Sequence, residues 1–122
     1  MTVLDASAIL AFLQGEPGAA TVEDALVKGA TCSTANWSEV AQKLRQHGDE
    51  WPVAKAVLES YDLCREPVTV ADAEAAALWW RTAPNLSLGD RLCLALADRL
   101  DAETLTADRM WDGAGPRVRL IR

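Results

Sequence analysis

The sequence has few of the residue types that carry covalent or zinc-dependent catalysis. It contains one histidine, His47, and three cysteines, Cys32, Cys64 and Cys93. The cysteines are widely separated and form no CxxC pair, which argues against a zinc cluster or a disulfide framework. We expect them to be buried structural thiols. His47 lies beside Gly48 at a predicted helix end, where a surface or capping role is the simpler interpretation. A Ser-His-Asp triad is therefore not expected.

Positive charge and long apolar runs are also scarce. The formal net charge is −6, which is the wrong sign for a protein that binds nucleic acid through a broad basic face. The longest helix-like apolar run, Leu92 to Ala97, is far shorter than the roughly 20 residues of a membrane span. The N-terminus has no charged region before an apolar stretch. We therefore expect an intracellular, cytoplasmic protein with no membrane segment.

What the chain does contain is a regular alternation of short apolar segments and helix-like segments. Strands are predicted over Thr2 to Asp5, Ala30 to Ser33, Leu63 to Val68, Ala102 to Thr106 and Arg117 to Ile121. Helices are predicted from Ser7 to Gln14, Ala19 to Lys28, Thr34 to His47 and Trp51 to Tyr61, then after Thr69 through Arg81, and from Leu88 to Leu100. This alternation predicts an α/β fold, a mostly parallel sheet with helices on both faces. The 122 residues suit a single domain over 1–122.

Four acidic residues lie where such a fold would bring them together. Asp5 and Asp108 come just after predicted strands, and Glu39 and Asp90 lie in the opening turns of two helices. The ends of parallel strands and the starts of the following helices share one edge of the sheet, where open α/β sheets bind ligands. We therefore expect the four carboxylates to meet at that edge.

Such a cluster of carboxylates predicts a metal site. Several anions packed together oppose one another's ionisation, and a divalent cation resolves that conflict. Oxygen ligands without histidine or cysteine select Mg²⁺ or Mn²⁺. An ion of this kind polarises a phosphodiester and activates water, so nucleic-acid hydrolysis is the chemistry that fits. Single acids are common on surfaces, however, and Glu39 points away from the apolar stripe of its own helix, as a solvated glutamate would.

Ser7, Thr106 and Asp112 are weaker site candidates. Ser7 and Thr106 stand two residues from Asp5 and Asp108, and each could serve local structure or hydrogen-bond an acid or a metal-bound water. Ser7 is also a candidate cap for the first helix. Asp112 is more simply interpreted as a turn residue.

Two arginines, Arg91 and Arg109, directly follow acids of the predicted site. Either could hold a phosphate of an RNA substrate, or be a surface or structural arginine. The adjacent Trp79 and Trp80 face directions about 100° apart on a helix, so both can hardly enter one core stripe. One of the two is a candidate for a subunit interface.

Four segments resemble the successive motifs of PIN-domain ribonucleases, in the correct order and over almost the whole chain: Val3-Leu4-Asp5-Ala6-Ser7, Ser38-Glu39-Val40, the run SLGDRLCLALA from Ser87 to Ala97, and the run LTADRMW from Leu105 to Trp111. More narrowly, the chain resembles VapC toxins of toxin-antitoxin pairs. The resemblance implies a parallel sheet of order 3-2-1-4-5 and a Mg²⁺ or Mn²⁺ site, formed by Asp5, Glu39, Asp90 and Asp108, for endoribonuclease action on cellular RNA. It also implies a homodimer and a VapB-like antitoxin that silences the enzyme by covering the active site, often with an inserted arginine.

The sequence alone leaves two other functions possible. A non-catalytic PIN-like binding module would keep the fold, and a metal titration that showed no binding would favour it. A phosphoacceptor signalling domain also gathers acids at strand ends. It needs an aspartate after the third strand and a late lysine, whereas the only lysines are Lys28, Lys43 and Lys55.

Overall fold

Strands and helices alternate along the chain, as the sequence predicts, in a computed structural model that describes residues 1–122. The five strands are β1 (Thr2–Leu4), β2 (Ala30–Ser33), β3 (Cys64–Glu66), β4 (Glu103–Thr106) and β5 (Val118–Leu120). The six α-helices are α1 (Ala6–Leu13), α2 (Ala19–Lys28), α3 (Thr34–Gln46), α4 (Trp51–Ser60), α5 (Val70–Leu78) and α6 (Leu88–Leu100), and two 3₁₀ turns cover Trp79–Arg81 and Arg109–Trp111. None of the helices combines the length and the apolar composition that crossing a bilayer requires.

All five strands form one parallel sheet in the order β3-β2-β1-β4-β5. The predicted α/β class and strand order are therefore confirmed. The chain adds strands on one side of β1 and then returns to add β4 on the other side, so β1 and β4 flank a topological switch point. Open α/β sheets bind ligands at the carboxyl ends of strands at such a point. The register pairs Leu4 with Leu105 and brings those two strand ends side by side.

Helices cover both faces of the sheet, and consecutive strand residues point into opposite faces. Leu4 belongs to a buried cluster of 15 residues built mainly with α1 to α4. Val3 belongs to a second cluster of 9 buried residues, which includes Trp111 and much of α6. Trp79 packs partly against this second cluster, whereas Trp80 is 57% exposed. The two tryptophans therefore diverge as expected.

The helix starts follow local capping chemistry. Thr69 and Ser87 form capping boxes with the residues three positions on, as the sequence predicts. The predicted cap of α1 is wrong: Asp5, not Ser7, is the N-cap, and it accepts a hydrogen bond from the Ala8 amide. The cap lies two residues earlier because an aspartate directly after a strand caps as well as serine does. The middle of α6, from Leu92 to Ala97, is buried all round, as predicted.

The cysteines only partly match their prediction. Cys32 and Cys93 are buried, and burial raises the pKa of the Cys32 thiol to about 12. Cys64 is exposed, so the expectation of a buried thiol there is wrong. It lies on β3, which is an edge strand with little covering.

A partly buried ion pair ties α5 to α6. The Arg99 guanidinium donates to both oxygens of Asp72, from Nε to Oδ1 at 2.9 Å and from Nη2 to Oδ2 at 3.1 Å. Asp72 is buried, and Arg99 also lies 3.7 Å from Glu66. Burial by itself would raise the pKa of Asp72, but the hydrogen bonds from Arg99 and Thr69 lower it below its ordinary value. The bidentate geometry makes this pair stronger than an exposed one.

We predict that Asp72→Asn lowers the free energy of unfolding by about 1 to 3 kcal/mol, because it removes a charge-assisted bidentate pair from a buried carboxylate. Glu74→Gln, an exposed acid on the same helix, serves as the matched control and should change stability by less than about 0.5 kcal/mol. Urea unfolding near neutral pH measures both. Equal stabilities for the two variants would contradict the role given to this pair.

Candidate functional site

The four predicted acids line one cavity at the carboxyl edge of the sheet. Its volume is about 290 Å³, and its walls are Asp5, Ala6, Ser7, Leu10, Glu39, Lys43, Ser87, Asp90 and Asp108. Four separate segments of the chain contribute these acids: the end of β1, the first half of α3, the first turn of α6 and the residue before the second 3₁₀ turn. The topology therefore does bring the carboxylates to one place, while their role in catalysis remains a prediction.

Asp5 is the most deeply placed of the four acids, with 2% of its surface exposed. Its Oδ1 accepts from the Ala8 amide at 2.8 Å, and its Oδ2 accepts from the Thr106 hydroxyl at 2.6 Å. The Ser7 hydroxyl lies 2.8 Å from Oδ1 and 3.0 Å from Oδ2. Burial raises the pKa of Asp5 from its ordinary value of 3.8 to about 6; the hydrogen bonds oppose this rise and the charge of Asp90 adds to it. The carboxylate is thus held ionised at neutral pH by only a small margin.

Ser7 and Thr106 also join the ends of β1 and β4. The Ser7 hydroxyl accepts from the Ala107 amide at 2.9 Å, and the Thr106 hydroxyl accepts from the Asp108 amide at 3.1 Å. Each hydroxyl therefore binds both a backbone amide and the Asp5 carboxylate. The network fixes the orientation of Asp5 from two sides.

Asp90 and Asp108 each use one oxygen to cap a helix start. The Asp90 Oδ2 accepts from the Ser87 amide at 3.0 Å, and the Asp108 Oδ1 accepts from the Met110 amide at 2.9 Å. The other oxygen of each carboxylate accepts no hydrogen bond from the protein. Because capping fixes these side chains through the backbone, they are placed before any cation binds.

Glu39 is half-buried rather than solvated, so the interpretation taken from its own helix is wrong. It does point away from the apolar stripe of α3, but that direction faces α6. Its Oε1 accepts from Nδ2 of Asn36 at 2.7 Å, and its carboxylate lies against Gly89. Burial raises the pKa of Glu39, with the Asn36 hydrogen bond opposing and the charge of Asp90 adding to the rise.

The donor set of the cavity fits a hard divalent cation. It offers carboxylate and hydroxyl oxygens without histidine or cysteine, which suits Mg²⁺ or Mn²⁺. None of the four carboxylates forms an ion pair with lysine or arginine. As they stand, no three acidic, histidine or cysteine side chains could hold a metal ion directly. An ion in this cavity would therefore be held in part through its own waters, as Mg²⁺ commonly is.

The remaining predicted site residues lie outside this cavity. Asp112 is exposed and lines a separate depression of about 180 Å³ near the loop 82–86, which agrees with a turn residue. Arg91 donates to the Pro84 carbonyl oxygen at 3.1 Å, and its Nε is buried without a partner. Arg109 is exposed on the second 3₁₀ turn and forms no ion pair. Of the two arginines, only Arg109 has a guanidinium with no partner in the protein.

Sequence reasoning missed three residues that contact the acids or line their cavity. Lys43 is the one basic residue in the cavity wall, and its position four residues after Glu39 could have indicated it. Asn36, three residues before Glu39, could have been found in the same way. Gly89 has only a weak signal, a glycine inside a helix pattern beside Asp90.

Comparison with solved structures shows the same fold in chains from several toxin and toxin-antitoxin structures. A toxin-antitoxin complex from Klebsiella pneumoniae superposes with a TM-score of 0.83 at 18% identity, over 100% of this chain and 98% of that one. VapC20 of Mycobacterium tuberculosis, described as a toxin that cleaves the sarcin-ricin loop, gives 0.75 at 18% identity, over 94% of this chain and 95% of that one. VapBC2 from Rickettsia felis, bound to a DNA fragment from its promoter, gives 0.72 at 12% identity, over 98% of this chain and 96% of that one.

These identities are low enough that the likeness to solved structures concerns the fold alone. A comparison with curated protein sequences found no match. The family model for the PIN domain, however, matches residues 2–115. This match spans nearly the whole sheet and all four acids of the cavity, and the chain therefore belongs to the PIN-domain family.

Proposed function

We propose that this protein is a metal-dependent endoribonuclease toxin that cleaves cellular RNA with the aid of Mg²⁺ or Mn²⁺. One observation carries the proposal: Asp5, Glu39, Asp90 and Asp108 line one cavity without a built-in cationic partner for their carboxylates. The toxin folds that superpose on the chain support it, since one of them is described as cleaving RNA of the sarcin-ricin loop.

In this scheme the oxygens of Asp90 and Asp108 that accept no hydrogen bond, together with Asp5 and Glu39, would hold the ion. When bound, the ion polarises a phosphodiester and lowers the pKa of a coordinated water. The hydroxyls of Ser7 and Thr106 hydrogen-bond Asp5 and keep it oriented, as groups that bind a metal ligand from its other side commonly do. The protein needs no nucleophile of its own.

Two basic side chains near the cavity are suited to the RNA backbone. Lys43 lines the cavity wall, and Arg109 directly follows Asp108. Both are exposed and neither forms an ion pair in the protein. Because the net charge is −6, binding through a few such contacts fits better than binding through a broad basic face. A single-stranded or looped RNA segment is the substrate that so narrow a contact accepts.

We also propose a VapB-like antitoxin as the partner, as in the VapBC complexes of the same fold. An apolar groove of about 530 Å³ lies between the end of α1, α3 and α4, and its walls include Phe12, Leu13, Leu44, Val53 and Val57. On α1, Leu10 of the acid cavity and Leu13 of the groove are three residues apart, and on α3 Lys43 of the cavity directly precedes Leu44 of the groove. Asp49 and Glu50 at its rim favour an amphipathic segment with basic flanks.

A homodimer is the third part of the proposal. Leu78, Trp80, Leu88 and Met110 are apolar side chains that remain 65%, 57%, 68% and 59% exposed in the single chain. They belong to the end of α5, the first turn of α6 and the two 3₁₀ turns. The four include the one exposed tryptophan, and large exposed apolar side chains are candidates for a protein interface.

A non-catalytic PIN-like binding module remains a second candidate. The observation that favours it is that no three acidic side chains stand in a geometry that could hold a metal directly. Failure of the purified protein to bind Mn²⁺ would support this module over the nuclease.

Purified Asp90→Asn protein should lose RNA cleavage by about 100-fold or more, because the substitution removes one negative ligand from the proposed ion. Asparagine can still accept from the Ser87 amide, so the unfolding temperature should change little. The test incubates each protein with total cellular RNA, with Mg²⁺ or with a chelator, and maps new RNA ends by sequencing. Asp98→Asn, an exposed acid farther along α6, is the control and should cleave normally. Full activity in Asp90→Asn, or in wild type with chelator, would contradict the catalytic assignment.

Metal-free protein should lose stability as the pH rises. A carboxyl group with a raised pKa favours the folded state below its unfolded pKa, and this contribution disappears as the pH passes the folded value of about 6. The full shift corresponds to about 3 kcal/mol, of which about 1.4 kcal/mol falls between pH 5 and the folded pKa of about 6. Other groups titrate as well, so the measure is the difference between wild type and Asp5→Asn in unfolding at about pH 5 and about pH 7.5. We expect a steeper decline in wild type than in Asp5→Asn, and saturating Mn²⁺ should reverse it. Parallel pH profiles of stability for the two proteins would contradict the raised pKa of Asp5.

Trp80→Glu should shift a dimer toward monomer, because it places a charge in the proposed apolar interface. Sedimentation velocity over a range of concentrations measures the change, with Trp80→Phe as the conservative control. An unchanged dimer in Trp80→Glu would place the interface elsewhere, and a monomeric wild type would remove the dimer from the proposal.

A further inference from the structure

Asn36 is a fully buried polar residue beside the acid cavity. It is 0% exposed, at the place where α3 packs on α6. Its Nδ2 donates to Glu39 Oε1 at 2.7 Å and lies 3.4 Å from the Gly89 carbonyl oxygen. Its Oδ1 is buried and has no hydrogen-bond partner. A buried amide with an unpaired acceptor destabilises the fold relative to an apolar residue of the same shape, so its placement here indicates a task other than stability.

Gly89 is the second unusual residue at this contact. A Cβ atom at this position would lie 2.4 Å from Glu39 Oε1 and 2.9 Å from Glu39 Cδ. The backbone there is helical and does not have the positive φ that would itself require glycine. Glycine is a poor helix former compared with alanine. The reason for glycine at this position is therefore the space that the Glu39 carboxylate occupies.

We infer that Asn36 and Gly89 are positioning residues that together fix the Glu39 carboxylate in the acid cavity, and so set its affinity for a divalent cation. Asn36 holds Oε1 by donation from one side, and Gly89 leaves room for the same oxygen on the other. The inference rests on the proposed function only where it concerns the cation, because the contact itself belongs to the protein alone.

This arrangement explains how a glutamate on the outward face of α3 becomes part of a site otherwise built from aspartates. The aspartates are fixed by helix capping, whereas Glu39 has a longer side chain and no backbone donor. A freely rotating glutamate would extend to solvent and lose side-chain entropy on each binding event. The Asn36 donor and the gap at Gly89 remove that freedom before a cation arrives, which is preorganisation of a ligand.

The experiment compares wild type with Asn36→Leu and Gly89→Ala, and uses Gln42→Leu, an exposed change on α3, as the control. Mn²⁺ alone is titrated into each metal-free protein by calorimetry. Both variants should bind Mn²⁺ about 10-fold or more weakly. This is the usual effect of changing a residue that orients a metal ligand. Gly89→Ala should not have a lower unfolding temperature than wild type, since alanine favours the helix and the atoms it displaces are the end of the flexible Glu39 side chain. A residue with a purely structural role would show the opposite pattern.

A second readout does not involve metal. In wild type the side-chain amide protons of Asn36 should be shifted downfield and protected from exchange by the Glu39 carboxylate. Glu39→Ala and Gly89→Ala should both remove this signature in NMR spectra of the metal-free protein. In a Glu39→Ala background, adding Gly89→Ala should weaken Mn²⁺ binding by no more than about twofold further, because both changes act through the same side chain.

The outcomes separate this inference from the proposed function. Loss of the Asn36 amide signature in Gly89→Ala, together with weaker Mn²⁺ binding in both Asn36→Leu and Gly89→Ala, supports it, even if wild type cleaves no RNA, which would refute the nuclease alone. Mn²⁺ affinity within about twofold of wild type in Gly89→Ala would overturn it, and so would an unchanged Asn36 signal in that variant. Wild type that binds no Mn²⁺ would overturn both the cation role and the proposed function. If Asn36→Leu does not fold, Gly89→Ala decides the result.

Discussion

Three aspartates at one edge of the sheet each do two things with a single carboxylate. Asp5 caps α1, Asp90 completes the capping box of α6 and Asp108 caps the second 3₁₀ turn. Each side chain is therefore fixed by backbone amides that belong to the fold, and its position does not depend on the other acids. The parallel order of the sheet then brings these helix starts together around the switch point between β1 and β4. Negative charge accumulates there as a consequence of how the chain is capped.

Bringing these carboxylates together disfavours their ionised forms, and the effect is largest at Asp5. Its carboxylate is buried and faces the charge of Asp90, which together raise its pKa to about 6 in spite of hydrogen bonds from Thr106, Ala8 and Ser7. The protein supplies no arginine or lysine to pair with it. Elsewhere in the same chain a buried aspartate is treated differently: Asp72 has a bidentate arginine and a lowered pKa. The contrast between Asp5 and Asp72 supports the proposal that a divalent cation binds in the cavity.

Local chemistry in the sequence was enough to predict much of the fold. Capping residues such as Thr69 and Ser87 act within one helical turn, so their positions indicated where α5 and α6 begin. Short apolar segments separated by helices predicted a parallel sheet, and the motif resemblance supplied its order. The same pattern predicted that Asp5 and Asp108 lie at the carboxyl edge of the sheet, because residues just after parallel strands share that edge.

Features that depend on contacts between elements could not be predicted. The helical periodicity of α3 describes only its own core face, and so it assigned Glu39 to solvent when the side chain in fact packs against α6. The role of Gly89 is a space between two helices, which no single-helix pattern contains. Ser7 was a reasonable cap for α1 until the geometry after β1 gave that place to Asp5. Cys64 is exposed because β3 lies at the edge of the sheet, a fact that belongs to the topology and not to the residue.

The most direct test of the cation site is a crystal structure of wild-type protein grown or soaked with Mn²⁺, with diffraction data collected to record anomalous scattering from manganese. A single strong peak inside the cavity lined by Asp5, Glu39, Asp90 and Asp108, within ligand distance of at least two of their carboxylates directly or through water, is the predicted result. An empty cavity in crystals that contain Mn²⁺, or a peak only at other surface acids, would contradict the assignment of this edge as a metal centre.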